Sequence, residues 1–388
     1  MGGRGETITA LAHPSSLFIG TTHGVYVMEE PVGRKVQEVQ EVLPCREVLQ
    51  KPTEELMRSR GAVVERGGGE VVYSDSAFWF PSATARRLIS LHGQVAPLAT
   101  ELCIYGDLLT CLGESKDKHY VARLLSKEAD GSEGIAARRG MYHSLGDTGL
   151  AVLALHSSRF HHLGTTAEYL EGLTRDLHLR KELSLEQVVS SKVAQGVGGQ
   201  VAGILLHSAL SSPATIPTDS IVEYSIIEAP IHLGPCTILS GVHVTKSLDL
   251  PAGFLYHTVP IVVDNTSKFV TVAFHHLDDM KRSTRLAMSG DLSYGERPME
   301  ELYTSGLLDP SATFPGEGPA SLWTARLFPA ESTMAASLAV TAAMVARLRT
   351  PTTLTTTGVL YSMEDLVQLK DGPGILQFRR TLAATIQD

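Results

Sequence analysis

With 388 residues, 43% of them hydrophobic and 19% charged, the chain has core material for two or three domains and lacks the composition of a disordered segment. A formal net charge of −9 excludes a broadly basic nucleic-acid-binding face, though not a local basic pocket for a phosphorylated ligand. Four widely spread cysteines (Cys45, Cys103, Cys111, Cys236) form no Cys-x-x-Cys pair, which argues against a zinc ribbon or thioredoxin-type site and fits a reduced, intracellular protein. No apolar run approaches a membrane span and no apolar signal core follows Met1, so the cytoplasm is the default expectation.

Residues 7–12 read as a strand, His13-Pro14-Ser15-Ser16 as a turn and 17–19 as a returning strand. Gly20-Thr21-Thr22-His23-Gly24 leads into a clear strand at 25–28, and 29–44 reads as a loop and polar linker. Thr53 caps a helix whose first turn holds Glu54 and Glu55. A strand at 71–73 ends in Ser74-Asp75-Ser76, and Ser82 caps a helix over 83–91. Tyr105-Gly106-Asp107 opens an apolar helical run to 113, followed by a polar, glycine-punctuated segment over 116–140 that reads as exposed. Residues 150–155 are a buried-type strand, and Thr165-Thr166-Ala167-Glu168 is a capping box opening a helix through 177. This alternation of strands and helices across 7–178 predicts an α/β layer.

Ser184 to Gln187 is a second capping-box match and predicts a short helix. Apolar residues then fall six apart at Ile204, Leu210, Ile216 and Val222, and after a one-residue slip at Ile227, Leu233 and Leu239. A period of six puts one apolar residue per short strand inside a coil, as in a parallel β-helix. Ser211, Ser212, Pro213, Ser240 and Gly241 suit its corners, and ordinary strands with turns between them are the plain alternative. Beyond 250, strands at 258–263 and 269–274 flank the turn cluster Asp264-Asn265-Thr266-Ser267. Residues 278–320 are mixed and loop-rich. Helices are predicted over 334–348, after the capping signal at Ser362, and over 375–386.

Among chemical motifs, no Walker A loop and no Gly-x-Ser-x-Gly elbow occurs, and Gly196-Val197-Gly198-Gly199-Gln200-Val201 lacks the third glycine of a dinucleotide fingerprint. The doublets His161-His162 and His275-His276 offer at most one metal ligand per strand face. Lys51, before Pro52, is expected on extended backbone, poised to meet a phosphate. Asp107, after Gly106, is placed either to approach a divalent cation or to cap a helix.

The run Thr9-Ala10-Leu11-Ala12-His13-Pro14-Ser15-Ser16-Leu17, with Ile19-Gly20-Thr21-Thr22-His23-Gly24-Val25 after it, resembles the fucose-1-phosphate guanylyltransferase (GDP-fucose pyrophosphorylase) family. The likeness recurs in order at Lys51-Pro52, Tyr73-Ser74-Asp75-Ser76, Tyr105-Gly106-Asp107, and Phe160 through Leu170. It continues at Ser220 through Ser225, Ile238-Leu239-Ser240-Gly241, and Ser321-Leu322-Trp323-Thr324-Ala325-Arg326. The resemblance implies an α/β plus β fold. Residues 1–180 would be the C-terminal, sugar-phosphate half of a Rossmann-like nucleotidyltransferase domain. A left-handed parallel β-helix would follow over 196–255, and a mixed, partly helical C-terminal region over 256–388.

It implies formation of GDP-L-fucose and pyrophosphate from GTP and β-L-fucose 1-phosphate, in fucose salvage, with Mg2+ as cofactor. By the same resemblance Lys51 and Asp107 would be catalytic, Asp107 also a magnesium ligand. His23 and Gly24 would line the pocket floor, Asp75 would bond a fucose hydroxyl, and His162 and Gly164 would close one wall. The family's glycine-rich nucleotide loop and aspartate-bearing strand do not occur in this sequence. The expectation is therefore a chain that begins within the α/β domain, binds GTP poorly and is inactive alone. Expected partners are the two substrates, and a second copy through the β-helix or C-terminal region, with no nucleic acid and no membrane. The competing readings are a non-catalytic sugar-phosphate-binding or assembly module and the pyrophosphorylase-like part of a bifunctional fucokinase. A hexapeptide acyltransferase is disfavoured, because His207, His232 and His243 have no supporting motif.

Overall fold

Burial alternates along Thr7–Ser15, whose Ile8, Ala10 and Ala12 are fully enclosed, and these residues form the central strand β1. The structure, a computed structural model, describes residues 6–29, 40–66, 68–75, 77–96, 102–112, 131–197, 199–280, 282–284, 291–316, 318–349 and 358–387. Two units are present, Met1–His161 and His162–Asp388.

In the first unit β1 pairs in parallel with β7 (Gly149–Leu155) and antiparallel with β5 (Gly69–Ser74). The sheet continues beyond β7 through β3 (Gln40–Gln50) to β2 (Gly24–Met28), and beyond β5 to β4 (Val64–Arg66); β6 (Phe78–Trp79) also joins β1. Residues 40–44 therefore belong to a strand instead of the expected linker, because Leu43 and Cys45 are buried as β3 pairs with β7. The chain also does not turn at 13–16. β1 runs to Ser15, Pro14 lies opposite Tyr73, and the expected strand at 17–19 is instead helix α1 (Leu17–Thr22). Ser16 explains the difference, since its Oγ accepts the Ile19 N–H at 3.3 Å as a helix cap.

Helix α2 (Glu54–Arg60) begins at the predicted Thr53 cap, and α3 (Ser82–Val95) starts at Ser82 itself, behind Pro81. Asp107 lies in a π turn (Ile104–Leu108) that tightens into a 3₁₀ turn. Residues 131–140, expected to be exposed, form most of α4 (Gly131–Leu145), which buries Ala137, Arg138, Met141 and Leu145. Residues 30–39 and 116–130, Ser76 and Gly198 lie outside the described residues.

The second unit opens with α5 (Thr166–Thr174), capped as predicted by the reciprocal Thr165–Glu168 bonds, and α6 (Leu177–Glu182), capped by Asp176. The helix expected from Ser184 is absent: Ser184 takes φ +49° and closes α6, donating its N–H to the Lys181 carbonyl at 3.1 Å. A four-coil β-solenoid follows, with three short strands per coil. The first coil holds β8–β10 (Val188–Val189, Lys192–Val193, Gly199–Val201) and the second β11–β13 (Ile204–Leu206, Ala209–Leu210, Ala214–Ile216). The third holds β14–β16 (Ile221–Glu223, Ile226–Ile227, Ile231–Leu233) and the fourth β17–β19 (Ile238–Ser240, His243–Val244, Leu248–Leu250). Each strand of the first three coils pairs in parallel with its counterpart one coil on.

Leu205, Leu210, Ile216, Val222, Ile227, Leu233, Leu239, Val244, Leu250 and Tyr256 share one core, in recurring steps of five, six and six residues. The apparent slip after Val222 is thus the short step of every coil. At that corner Ser190, His207, Tyr224 and Gly241 all turn with φ between +45° and +61°. Ile204, read from the sixfold count as inward, belongs to another cluster: with Ile221 and Ile238 it packs on Leu170 and Leu173 of α5.

The antiparallel hairpin β20 (Phe254–Val263) and β21 (Thr266–His275) extends one solenoid sheet. Asp264 and Asn265 supply its turn with φ of +49° and +57°, the pattern of a type I′ hairpin. After the short helices α7 (Met299–Thr304) and α8 (Pro310–Thr313), α9 (Met334–Arg349) lies along β21, where Ser337 Oγ accepts the Thr271 N–H at 2.6 Å. Ser362 caps α10 (Met363–Leu369) as predicted, and α11 (Gly372–Gln387) follows. Among the described residues no helix is long and apolar enough to cross a membrane.

Candidate functional site

In α/β sheets ligands gather beyond the carboxyl ends of parallel strands. β1 and β7 form the parallel pair of the first unit, and polar residues collect where both end. His13, on β1, is opposite Ser74, which places Asp75 beside it: His13 Nε2 lies 2.6 Å from Asp75 Oδ2. The other ring nitrogen, Nδ1, is hydrogen-bonded to Ser158 Oγ, just past β7, and Ser158 Oγ donates to the Leu155 carbonyl at 2.6 Å. The His13 and Asp75 side chains keep 14% and 13% of their exposure, enough to be reached from solvent. A second, buried brace lies alongside. Tyr73 on β5 bonds His156 Nδ1 at 2.6 Å, and His156 Nε2 stands 3.8 Å from Glu41 Oε2 on β3.

The Asp75 main chain is also held. Tyr26 donates to its carbonyl at 3.3 Å and Tyr105 donates to the same oxygen. Burial pushes the Tyr105 phenol up to about 12 and that of Tyr26 further, so both stay protonated donors at neutral pH. Tyr105 packs directly against Gly24: a Cβ there would sit 2.0 Å from its ring, so the position admits only glycine. Ser74 Oγ donates to the Gly24 carbonyl at 2.7 Å. His23 turns its ring edge-on to Phe160, centroids 5.4 Å apart, and its carbonyl accepts the Lys51 N–H at 3.0 Å.

Lys51 is exposed, and its backbone is not extended as expected from the following proline. It takes φ +46°, a left-handed conformation that a non-glycine residue holds only where its surroundings impose it. Here the imposing features are the bond to His23 and the Thr53 cap of α2 two residues on. Four of the sequence-derived candidates, His23, Gly24, Lys51 and Asp75, are thus linked through direct bonds or through Ser74 and Tyr105.

Asp107 is not linked to them through its carboxylate. It is 4% exposed; Oδ1 accepts from Arg138 Nε at 2.8 Å and Oδ2 from the Cys103 N–H at 2.7 Å. The N-cap of the turn is Cys103 and not Asp107, which lies inside the turn; the Asp107 carboxylate reaches back to the Cys103 N–H and so anchors the π turn that carries Tyr105. With both oxygens engaged it does not fit the expected magnesium ligand. Among the described residues no group of three His, Cys, Asp or Glu side chains is placed to hold a metal ion.

His162 and Gly164 lie in the second unit, on the loop before α5. Glu168 clamps that loop, accepting from the Gly164 and Thr165 N–H groups at 2.9 Å each and approaching His162 Nδ1 at 3.2 Å. A Cβ at Gly164 would meet the His162 ring at 2.2 Å.

Sequence reasoning missed His13 as a site residue, reading it as part of a turn, and missed Ser158, His156 and Tyr73. The available signal was the pair of apolar strands at 7–12 and 150–155. Once paired in parallel, they bring residues 13 and 156–158 to one rim.

Comparison with known proteins adds the following. The family description that matches is the fucose pyrophosphorylase domain, over residues 4–333. The chain is 30% identical over 397 residues to the fucose-1-phosphate guanylyltransferase of Homo sapiens, covering 96% of this chain and 65% of that protein. To the Mus musculus protein of the same name it is 30% identical over 396 residues, covering 96% and 66%. The chain spans just under two thirds of the length of these curated relatives.

Proposed function

The chain belongs to the fucose pyrophosphorylase family, and from that premise we propose that it serves the formation of GDP-L-fucose and pyrophosphate from GTP and β-L-fucose 1-phosphate. The observation that carries this reading is the likeness over 96% of the chain to proteins named for guanylyl transfer to fucose 1-phosphate. The convergence of His23, Gly24, Lys51 and Asp75 in the first unit supports it.

In this reaction the sugar phosphate oxygen attacks the α-phosphorus of GTP in line, and pyrophosphate leaves. Orientation and charge dispersal do most of the work. Lys51 is the proposed cation for the sugar phosphate, held in place by its backbone bond to His23 while its ammonium stays in solvent. Asp75 is the proposed acceptor for a fucose hydroxyl, and His23 and Gly24 the floor. Asp107 acts at one remove, through Tyr105. For His162 and Gly164 as substrate contacts the support is the resemblance alone. Magnesium would neutralise phosphate charge in such a transfer. The described carboxylates do not fit a resident ion, so no step is assigned to it.

The test is pyrophosphate release by this chain with GTP and fucose 1-phosphate, alongside calorimetry with each substrate. Fucose 1-phosphate is expected to bind, with affinity reduced about tenfold or more by Lys51→Ala, the loss of one phosphate-pairing charge. Binding without turnover would favour the non-catalytic sugar-phosphate module. No binding of either substrate would remove the proposal.

A further inference from the structure

We propose that Arg159 is a second cation of the sugar-phosphate subsite, sharing the phosphate of fucose 1-phosphate with Lys51. The sugar part of this inference rests on the function proposed above; the anion-binding part stands on residues of the first unit alone.

β7 ends at Leu155, and the chain beyond it follows the rim where β1 also ends. Ser158 Oγ is hydrogen-bonded to His13, and the Phe160 ring meets the His23 ring edge-on, centroids 5.4 Å apart. Arg159 lies between these two anchored residues, so its main chain is held at the rim while its side chain is exposed. The His23 carbonyl accepts the Lys51 N–H at 3.0 Å, and Lys51 is exposed as well. Two solvent-facing cations are thus tied to one histidine, Lys51 directly and Arg159 by way of the residue after it.

Both cations are uncommitted. Other arginines of the unit are paired: Arg58 with Glu70, Arg60 with Glu47, Arg87 with Glu6 and Asp147, and buried Arg138 with Asp107. The side chains of Lys51 and Arg159 have no hydrogen-bond or ion-pair partner among the described residues. An exposed arginine in solvent is ordinary on its own; the charge of the ligand is what makes this one count. A phosphate monoester carries about −1.5 to −2 at neutral pH. One ammonium leaves about half of that uncompensated, and no group of three described ligands is placed to hold a metal ion beside it.

The two cations differ in what they offer. An ammonium acts as a point charge, whereas a guanidinium presents a planar fork that holds two phosphate oxygens at once. With two terminal oxygens of the sugar phosphate in that fork, the third is left to attack the α-phosphorus of GTP. The new bond joins that oxygen to the α-phosphorus, and the α–β bond breaks with its electron pair leaving on pyrophosphate.

Calorimetry on the full chain, with fucose 1-phosphate as the probe, reads the consequence. Arg159→Ala is expected to weaken binding about tenfold or more and to make it less sensitive to salt than in the parent. Arg159→Lys recovers part of the loss, because it restores the charge but not the fork. Arg86→Ala removes an exposed arginine of α3 that reaches Ser82 of its own helix, and should stay within about twofold of the parent. Thermal unfolding of each variant confirms that the fold is kept.

An Arg159→Ala affinity within about twofold of the parent, an unchanged salt dependence, or an equal loss in Arg86→Ala would each overturn the inference. If the parent chain binds no fucose 1-phosphate, the functional reading fails, and inorganic phosphate then decides the anion site. Phosphate binding lost in both Lys51→Ala and Arg159→Ala upholds it. No phosphate binding, or equal binding by parent and variants, removes it.

Discussion

The solenoid and the α/β unit satisfy their buried polar groups in opposite ways. In the solenoid one bond is repeated: Ser208, Ser225 and Val242 each donate their N–H to a serine Oγ 17 residues earlier, on Ser191, Ser208 and Ser225. The hydroxyls of Ser191, Ser208 and Ser225 in turn donate to carbonyls two residues back in their own coil. In the α/β unit the bonds that join its strands' ends are singular and long-range, Tyr73 to His156 across 83 residues and His13 to Ser158 across 145. Repetition serves stability, because every coil reuses the same local solution. Singular contacts place unlike groups side by side, which is what chemistry requires.

The largest expected effect tests whether Asp107 belongs to the structural side of this contrast. Arg138→Ala removes the cation paired with the buried Asp107 carboxylate and should cost about 3–5 kcal/mol in denaturant unfolding. A variant as stable as its parent would return Asp107 to the list of substrate-facing groups.

Leu239→Ala, in the middle of the solenoid core, should cost about 2–5 kcal/mol while leaving fucose 1-phosphate binding unchanged. A selective loss of binding instead would break the division between a stability-bearing and a chemistry-bearing unit.

Asp278 sharpens the comparison, as a singular polar contact within the second unit. It accepts the His275 N–H at 2.8 Å and the Gly295 N–H at 3.0 Å, yet burial outweighs these bonds and pushes its carboxyl up to about 7. Between its ordinary 3.8 and about 7, the folded chain holds a proton that the unfolded chain has released. Its contribution to stability is therefore full below that window and is lost as pH rises through it, by at most about 1.4 kcal/mol per pH unit. Urea unfolding across the window should show this slope in the parent and a flatter one in Asp278→Asn.

The smallest stability effect is expected at Lys51. Glycine relieves the left-handed backbone, so Lys51→Gly should leave stability unchanged or raise it by up to about 1 kcal/mol. The same change should weaken fucose 1-phosphate binding as much as Lys51→Ala does. A fall in stability would place Lys51 among the structural residues.

Local chemistry made much of the fold legible. The caps at Thr53, Thr165 and Ser362 and the Asp264-Asn265 turn act within four residues, and all four form as the sequence predicts. The solenoid period was visible because each coil repeats it. Which member of each rung faces inward was not: Ile204 and Leu205 are both apolar and buried, and only the position of α5 separates the two cores. Ser184 had the residues of a cap but closes the preceding helix, a choice made by α6 and not by its own four-residue window.

For the site, the resemblance named His23, Gly24, Lys51 and Asp75, and these four are linked by contacts through the His23–Lys51 main-chain bond, Ser74 and Tyr105. The inward turn of Asp107 toward Arg138, and the meeting of His13, Asp75 and Ser158, follow from strand order and helix packing. A sequence determines by itself what neighbouring residues do to one another. Which distant residues become neighbours depends on the order in which β1, β5 and β7 lie side by side, and that order is set only when the whole sheet buries its core.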